Sequence, residues 1–428
     1  MNKILLIILI SLQGILMAAT VQEIIINEKK VPIIFEKHTS LPIFNLQLVF
    51  KNSGYIQDAN KSGLTSLTSQ LLNEGTKKDG AVGFARKLEN KAISISAASG
   101  FETFVIEVSC LKSEMETALR LLNKLLINPN VTEKTLDKLK TLQISRLMQK
   151  ENDFDYIANK ELKKLIFKDT ALENSSSGTV ESIKAIKIKD IKTNLQKVLN
   201  LDNLIVVAGG DLTLKELKIA IKPIINDFKS YGEEKIKKIL VRDISETKIL
   251  KKDTKQSYIY FGSPFDIDSE DKENYKAKVA SFILGGSGFG SRLMEEIRVK
   301  RGLAYSAYGH ISSKKSNSTF TGHLQTKIEN QKEAKKLVQK LVNEFIKNGV
   351  TKKELSGAKK FLMGSEPLRT ETFSQRQGRA FSLYYKGLDL DYPAKELELI
   401  ENLKLDDLND FIKSHKEMTK LSFSIVTK

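Results

Sequence analysis

The chain has 428 residues, of which 41% are hydrophobic and 28% are charged. This composition excludes a disordered, collagen-like or multi-span membrane protein, and the length favours two domains over one compact core. The formal net charge of +17 comes mainly from lysines spread in mixed-sign runs, which is typical of a solvated surface and not of a nucleic-acid interface. We therefore expect no nucleic-acid partner.

The N-terminal residues predict an export signal. Lys3 precedes an apolar stretch from Ile4 to Ala19, which is shorter than the ~20 residues of a membrane-spanning helix. We predict a signal peptide at residues 1–19 and a periplasmic or secreted protein. The cleavage region near Ala18 is only a fair match to a small-residue site, so membrane attachment through an uncleaved N-terminus stays open.

Hydrophobic patterning predicts strands followed by helices in the first half of the chain. Alternating residues indicate strands and a hairpin, and apolar residues three and four apart indicate helices. The predicted elements are strands at Gln22–Ile26, Pro32–Glu36 and Phe44–Lys51, a helix at Gly63–Asn73, a hairpin at Ala92–Val108, a helix at Met115–Leu126, a closing strand at Asn203–Gly210 and a helix at Leu214–Phe228.

The second half repeats this order after a polar, lysine-rich segment, Lys229–Lys252, which we predict to be a linker. Corresponding strands are 211 residues apart at Leu46 and Ser257, and 217 apart at Leu204 and Leu421. This near-constant offset indicates an internal duplication. We predict an α+β fold with two homologous domains, 20–228 and 253–428, each a mainly antiparallel sheet with helices packed on it.

The string from Leu284 to Tyr308, LGGSGFGSRLMEEIRVKRGLAYSAY, carries the most chemical information. Arg298 lies on the last turn of a predicted helix, and Tyr305 lies early in the following strand. A guanidinium and a phenol brought together can donate hydrogen bonds to a carbonyl or a developing oxyanion. Taken alone, Arg298 also fits a surface ion pair with Glu295 or Glu296, and Tyr305 fits a half-buried strand aromatic.

The glycines of this string form a loop and do not complete a dinucleotide fingerprint. Ser291 occupies the place of the last glycine, and no strand leads directly into the loop. We therefore reject nucleotide binding. The loop, Gly285–Gly290, either helps to admit and position a peptide or merely connects two helices.

The same string resembles the C-terminal signature of the M16 metallopeptidase family, the inverzincins that include pitrilysin, insulin-degrading enzyme and the mitochondrial processing peptidase. In that family an Arg, six intervening residues and a Tyr form a substrate-contacting pair, and Arg298 and Tyr305 have this spacing. The similarity covers essentially the whole mature chain, including the closing strand LIVVAGGDL of the first half. The resemblance implies a substrate-binding role for Arg298 and Tyr305.

The zinc motif of the family, HxxEH, is lost in this chain. When the stretch GLTSLTSQLLNEGT is registered on its final Gly-Thr, Ser66 and Gln70 fall at the ligand histidines and Ser69 falls at the catalytic glutamate. Zinc needs imidazole or carboxylate donors, and the glutamate must take a proton from the metal-bound water. Serine and glutamine do neither well.

No other residues replace these donors. The third ligand of the family, a glutamate, would fall near Leu142–Leu147, where there is no carboxylate, and Glu133 and Glu151 do not fit the register. Cys110 is the only cysteine, and no two of the four histidines have the helical spacing of a zinc pair. We expect this chain to bind no cofactor, with zinc held instead by a partner subunit.

The resemblance implies that two subunits supply different parts of the active site. In bipartite members of the family, one subunit holds zinc and the other provides the Arg/Tyr pair. Our first hypothesis is a non-catalytic, substrate-binding subunit of a heterodimeric M16 zinc peptidase, working beside a chain that has HxxEH. A peptide substrate would add as a strand to a sheet edge. The alternative is a peptide-binding or scaffold protein of the M16 fold with no peptidase role. An independently active peptidase with unusual ligands is the least favoured.

Overall fold

The computed structural model describes residues 19–428, so the predicted signal peptide lies outside the described residues except for Ala19. Within this range the strands form two sheets. They are β1 (Thr20–Ile26), β2 (Lys29–Lys37), β3 (Ile43–Lys51), β4 (Ser94–Ser99), β5 (Thr103–Leu111), β6 (Leu204–Gly210), β7 (Thr247–Lys251), β8 (Gln256–Pro264), β9 (Ala304–Ser313), β10 (Ser318–Lys327) and β11 (Ser422–Thr427).

Helices separate and follow these strands. They are α1 (Leu64–Leu72), α2 (Gly80–Glu89), α3 (Met115–Ile127), α4 (Glu133–Lys150), α5 (Phe154–Ile166), α6 (Val180–Ala185), α7 (Ile188–Val198), α8 (Leu214–Ile225), α9 (Asn274–Ser281), α10 (Arg292–Met294), α11 (Gln331–Asn348), α12 (Lys352–Gly364), α13 (Phe373–Tyr385), α14 (Tyr392–Asn402) and α15 (Leu405–Ser414). Two π-helical turns extend them, Phe282–Gly286 after α9 and Glu295–Val299 after α10. Between residues 19 and 428, no helix is both long and apolar enough to cross a bilayer.

The two sheets have corresponding strand orders. The first runs β1-β2-β6-β3-β5-β4 and the second runs β7-β11-β8-β10-β9, so the second matches the first without its outermost strand. Each sheet contains one parallel pair, β2 with β6 and β7 with β11, and its other pairs are antiparallel. This order confirms the predicted α+β fold with a duplicated, mainly antiparallel unit.

Alternation along the central strands builds one hydrophobic core in each half. In β3, Leu46 and Leu48 are buried in the first core, whereas Val49 faces the opposite side of the sheet. In the second half, Phe261 of β8 and Phe320 of β10 occupy the equivalent core. Complete burial of one such side chain stabilises the folded state by roughly 1.5–3 kcal/mol.

Each half covers the outer face of the other half's sheet with one helix. Helix α5 places Ile157 and Ala158 against Val426 of the second sheet. Helix α13, which lies in the second half of the sequence, places Ala380 against Val207 of the first sheet. The hydrophobic outer faces of both sheets are therefore buried at the contact between the two halves.

The segment that joins the halves is shorter than the sequence predicts. Residues 230–246 contain no helix or strand, but Thr247–Lys251 is strand β7 and pairs in parallel with β11. The joining segment is also anchored, because the Ile239 N–H donates to the Ser316 carbonyl oxygen at 2.6 Å. The predicted linker was wrong at its end because β7 has only five, mostly exposed residues, and pairing with a strand far along the chain makes it part of a sheet.

Candidate functional site

Helix α1 carries the positions of the lost zinc motif, and Asp58 fixes where this helix begins. The Asp58 carboxylate accepts hydrogen bonds from the backbone N–H groups of Gly63 and Thr65, each at 3.0 Å, and from the Thr65 hydroxyl. Burial raises the pKa of Asp58 to about 6, although these hydrogen bonds oppose the increase. Gly63 has a φ of 93°, a conformation that glycine adopts without strain. The start of α1 is therefore specified locally.

The side chains at the motif positions hydrogen-bond within the helix. Gln70 Nε2 donates to Ser66 Oγ at 3.2 Å, so the two residues at the histidine positions contact each other. Ser69, at the position of the catalytic glutamate, is buried, and its hydroxyl donates to the Ser66 carbonyl oxygen at 2.8 Å. The polar groups at these positions therefore satisfy one another within the helix.

A cavity of about 460 Å³ lies beside this pair. Helix α4 contributes Gln143, Arg146 and Leu147 to its lining, so the region predicted for the third ligand does face the motif positions. The lining residues are Ser66, Gln70, Gln143, Arg146, Leu147, Gln149, Lys150, Asp153 and Ser177. The residues of α4 that face the cavity include Gln143, Arg146 and Leu147, which lie within the range predicted from the sequence.

These lining residues do not fit a zinc ion. Zinc requires imidazole, thiolate or carboxylate donors, and the cationic Arg146 and Lys150 would repel it. Asp153, the one carboxylate of the lining, accepts a hydrogen bond from the Tyr156 N–H at 3.0 Å and so caps helix α5. Over the described range 19–428, no three His, Cys, Asp or Glu side chains are grouped so that they could hold a metal.

Arg298 lies on the π-helical turn that follows α10. Such turns occur frequently at functional sites, because one extra residue in the turn re-aims the side chains beyond it. The short helix is anchored by Arg292, which forms a two-pronged ion pair with Glu354 at 2.9 Å for both contacts. The guanidinium carbon of Arg298 lies 4.6 Å from the centre of the Phe289 ring, within the range of a cation–π contact.

The ion-pair interpretation of Arg298 is wrong. Glu296 binds Lys300 and Arg301 instead, each at 2.6 Å. Among residues 19–428, no carboxylate forms an ion pair with Arg298. Its donor groups therefore stay available to a ligand.

Tyr305 lies in β9, the edge strand of the second sheet, and is 82% exposed. The interpretation of Tyr305 as a half-buried strand aromatic is therefore wrong. The pairing of β9 with β10 shifts register between Leu324 and Thr326, opposite Tyr305. Irregularities of this kind re-aim side chains at sheet edges and beside active sites.

Phe289 is the residue that sequence reasoning missed. Its ring is 70% exposed and lies under the Arg298 guanidinium, so the aromatic partner of Arg298 is Phe289 and not Tyr305. Gly288 and Gly290 flank it with φ values of 65° and 90°. An aromatic residue between two glycines in a loop was the available signal, because glycines in this conformation turn the chain sharply and expose the residue between them.

The edge strands β4 and β9, which occupy equivalent positions in the two sheets, are each partly closed. At β4, the Asn73 side chain accepts a hydrogen bond from the Ala97 N–H at 2.7 Å and donates one to its carbonyl oxygen at 2.9 Å. At β9, the Ile311 N–H donates to Ser281 Oγ at 3.0 Å. Asn73 follows helix α1, and Ser281 lies in helix α9. These are the equivalent helices of the two halves, and each covers the edge strand of its own sheet. The beginning of β9, which carries Tyr305, lies beyond the covered position.

The corresponding strand orders and the two cores define a two-domain α+β chain built from a duplicated unit. One family model, described as "Insulinase (Peptidase family M16)", matches residues 34–180. A second, described as "Peptidase M16 inactive domain", matches residues 185–362. The chain belongs to the M16 peptidase family, as its sequence signature predicted.

Known proteins support the same assignment. The chain is 43% identical, over its whole length and 99% of the relative, to the "Non-peptidase homolog YmxG" of Helicobacter pylori. It is 22% identical to the "Uncharacterized zinc protease YmxG" of Bacillus subtilis, over 81% of this chain and 85% of that one. Its fold is similar to the crystal structure of a peptidase M16 inactive domain from Pseudomonas fluorescens. That match has a TM-score of 0.87 and 24% identity, and it covers 95% of this chain and 97% of that chain.

Proposed function

We propose that this chain is the non-catalytic, substrate-binding subunit of a two-chain M16 zinc peptidase. A second M16 chain with an intact HxxEH motif would hold the zinc and activate the attacking water. This chain would contribute Arg298 and Tyr305 to the peptide held between the two subunits. We also propose that the pair acts in the periplasm or outside the cell, because the first 19 residues have the pattern of an export signal.

Helix α1 supports the non-catalytic part of the proposal. Ser66 and Gln70 bind each other, and Arg146 and Lys150 add positive charge where a metal would sit. The Helicobacter relative is called a non-peptidase homolog, which agrees with this chemistry. A chain with these residues needs a partner to take part in zinc-dependent cleavage.

The substrate-binding part of the proposal rests on the contacts of the Arg298 guanidinium. Its guanidinium rests on the exposed Phe289 ring and is left without a carboxylate partner among the described residues, while its neighbours Arg292 and Arg301 are both paired. A guanidinium held in this way can donate two hydrogen bonds to a peptide carbonyl oxygen and to the oxyanion that forms from it. The Tyr305 hydroxyl is a further donor on the same segment.

The sheet edges indicate where an extended peptide would lie. A peptide that adds to a sheet needs free backbone N–H and C=O groups along one edge. Asn73 occupies those groups at Ala97 in β4. The beginning of β9 is therefore the favoured position, and it places the peptide backbone beside Tyr305.

A scaffold role without peptidase activity is the second candidate. Phe289 and Tyr305 are 70% and 82% exposed, and exposed aromatic residues are typical of protein–protein contact surfaces. In this case the same surface would bind a protein partner and would contribute nothing to peptide cleavage.

One reconstitution experiment separates these functions. The mature chain, an HxxEH-bearing M16 chain from the same organism and their equimolar mixture are assayed for bound zinc, complex formation and cleavage of a peptide library. We expect no cleavage by this chain alone and a large gain in the mixture. A complex that forms without any gain in cleavage would favour the scaffold. Zinc and activity in this chain alone would overturn both proposals.

A further inference from the structure

A second cavity, of about 430 Å³, lies between helix α5 and the face of the second sheet. It contains neither the motif positions of α1 nor Arg298 and Tyr305. The first half contributes Tyr55, Phe101 and Lys163 to it, and the second half contributes Tyr260, His323 and Lys314. Its volume falls within the roughly 300–1,000 Å³ of known small-molecule sites.

The ionisable lining of this cavity is basic. Lys163, Lys314, His310 and His323 all line it, and no aspartate or glutamate does. Burial lowers the pKa of the Lys163 ammonium, and the charge of Lys314 lowers it further. Two like charges that face the same space repel each other, and an anion between them would remove this repulsion.

Two carboxylates act on this lining from outside the cavity. Burial lowers the pKa of Lys314 more than Glu102 raises it, and burial lowers the pKa of His323 more than Asp155 raises it. Asp155 accepts hydrogen bonds from the Tyr260 hydroxyl at 3.1 Å and from Gln325 Nε2. Glu102 accepts two hydrogen bonds from Ser316, from its N–H at 2.8 Å and from its hydroxyl at 2.6 Å. Neither carboxylate lines the cavity.

The remaining walls combine aromatic and aliphatic side chains with neutral polar ones, the polar residues being Asn159, Ser312, Asn317, Thr319 and Thr321. His323 stacks on Tyr260 with ring centres 5.1 Å apart, and Tyr308 lies on the other side of His323 at 5.5 Å. Phe101 lies 4.2 Å beneath the Lys314 ammonium. Aliphatic and aromatic side chains of the first half add an apolar wall, formed by Leu162, Ile166, Phe167 and Leu172. Stacked rings beside cations favour a ligand that has an apolar body and one negative group.

We propose that this cavity binds an organic carboxylate with an apolar or aromatic body. The carboxylate pairs with Lys163 and Lys314, and the body lies against the stacked Tyr260 and His323 rings. The site goes beyond the proposed peptidase role, because it needs neither a partner chain nor Arg298.

The absence of tryptophan from the sequence allows a direct test. N-acetyl-tryptophan and N-acetyl-tryptophanamide have the same indole body, and only the first has a carboxylate. Each is titrated with the mature chain while the blue shift of indole fluorescence is recorded. We expect saturable binding of N-acetyl-tryptophan that is at least tenfold tighter than binding of the amide. Equal binding of the two probes, or no saturable binding of either, would overturn the proposal.

Variants locate the site. Lys163→Gln and Lys314→Gln should each weaken N-acetyl-tryptophan binding to near the level of the amide. Lys168→Gln is the matched control, since Lys168 is exposed just after α5 and does not line the cavity. Its affinity should equal that of the wild type. Melting temperatures establish that each variant is folded, and unchanged affinity in folded Lys163→Gln and Lys314→Gln variants would also refute the site.

A titration with a short peptide distinguishes two sources of the carboxylate, a peptide C terminus and a free small acid. The tripeptide Gly-Gly-Trp is titrated as its free acid and as its C-terminal amide. Binding of the free acid at the affinity of N-acetyl-tryptophan, with weaker binding of the amide, supports the site and identifies a peptide C terminus as a ligand. Tight binding of N-acetyl-tryptophan alone supports the site for a free small acid.

Discussion

The two halves of this molecule share one sheet order. They differ at their candidate site residues, because those of the first half bind each other and those of the second half can still bind a ligand. In the first half, Ser66 and Gln70 hydrogen-bond to each other on α1. In the second half, Arg298 is left without an ion pair among the described residues, and Tyr305 is 82% exposed. The contrast shows that this fold does not depend on metal ligands, because hydrophobic burial and the capping of α1 by Asp58 specify the same architecture without them.

The largest expected effect comes from restoring the donors of the first half. A variant with Ser66→His, Ser69→Glu and Gln70→His, combined with Leu147→Glu or Gln143→Glu, places two imidazoles and one carboxylate on the lining of the 460 Å³ cavity and adds a second carboxylate at position 69. We expect one of the two combinations to retain stoichiometric zinc after dialysis, measured by elemental analysis, whereas the wild type retains none.

The control for this variant is Ser66→His alone, which supplies a single donor and should bind no zinc. Failure of both full combinations to bind zinc, in folded protein, would show that the register of the motif on α1 is wrong. Additional substitution of Arg146→Gln should strengthen zinc binding, because it removes a nearby positive charge.

A smaller effect concerns the start of α1. The pKa of Asp58 is about 6 in the folded state, against an ordinary value of 3.8, so between these values the folded chain binds more protons at this group than the unfolded chain does. The free energy of unfolding, relative to that of Asp58→Asn, should therefore fall as the pH rises from 4 to 7, by up to about 3 kcal/mol. Urea unfolding at several pH values measures the difference.

In the Asp58→Asn variant this part of the pH dependence should disappear. A difference between wild type and variant that is constant from pH 4 to pH 7 would mean that Asp58 keeps an ordinary pKa. The hydrogen bonds to Gly63 and Thr65 would then outweigh its burial.

The smallest effect concerns Tyr305 in the assembled peptidase. Tyr305→Phe removes one hydroxyl donor and keeps the exposed ring, so we expect kcat/KM of the pair to fall about tenfold, equivalent to ~1.4 kcal/mol of transition-state stabilisation. Tyr308→Phe is a suitable control, because Tyr308 lies in the same strand and its ring packs at a tilt against His323. Equal losses in the two variants would assign the effect to the strand and not to the Tyr305 hydroxyl.

Local patterning predicted much of the fold. The alternation of β3 predicted Phe44–Lys51, and the strand begins one residue earlier at Ile43. Strand β7 was missed because it is short and mostly exposed and pairs with a strand far along the chain. The π-helical turns were missed because one inserted residue leaves the apolar spacing of a helix almost unchanged.

The site was predicted in part. Arg298, Tyr305 and the altered motif positions could be proposed from the sequence, because these proposals depend on residue type and spacing. The sequence did not identify Phe289 beneath Arg298, because that contact depends on how the glycine loop folds back. For the third ligand it gave only a range, since the face of α4 that lines the cavity is set by packing between helices.

The central claim is that this chain contributes Arg298 to cleavage by a zinc-bearing partner. The most direct test is kcat of the assembled pair with Arg298→Ala, compared with Arg301→Ala, whose arginine is already paired with Glu296. Loss of a transition-state hydrogen-bond donor predicts about a 10²-fold fall for Arg298→Ala and little change for Arg301→Ala. Wild-type rates for Arg298→Ala, in complexes shown to be intact by size-exclusion chromatography, would contradict the claim.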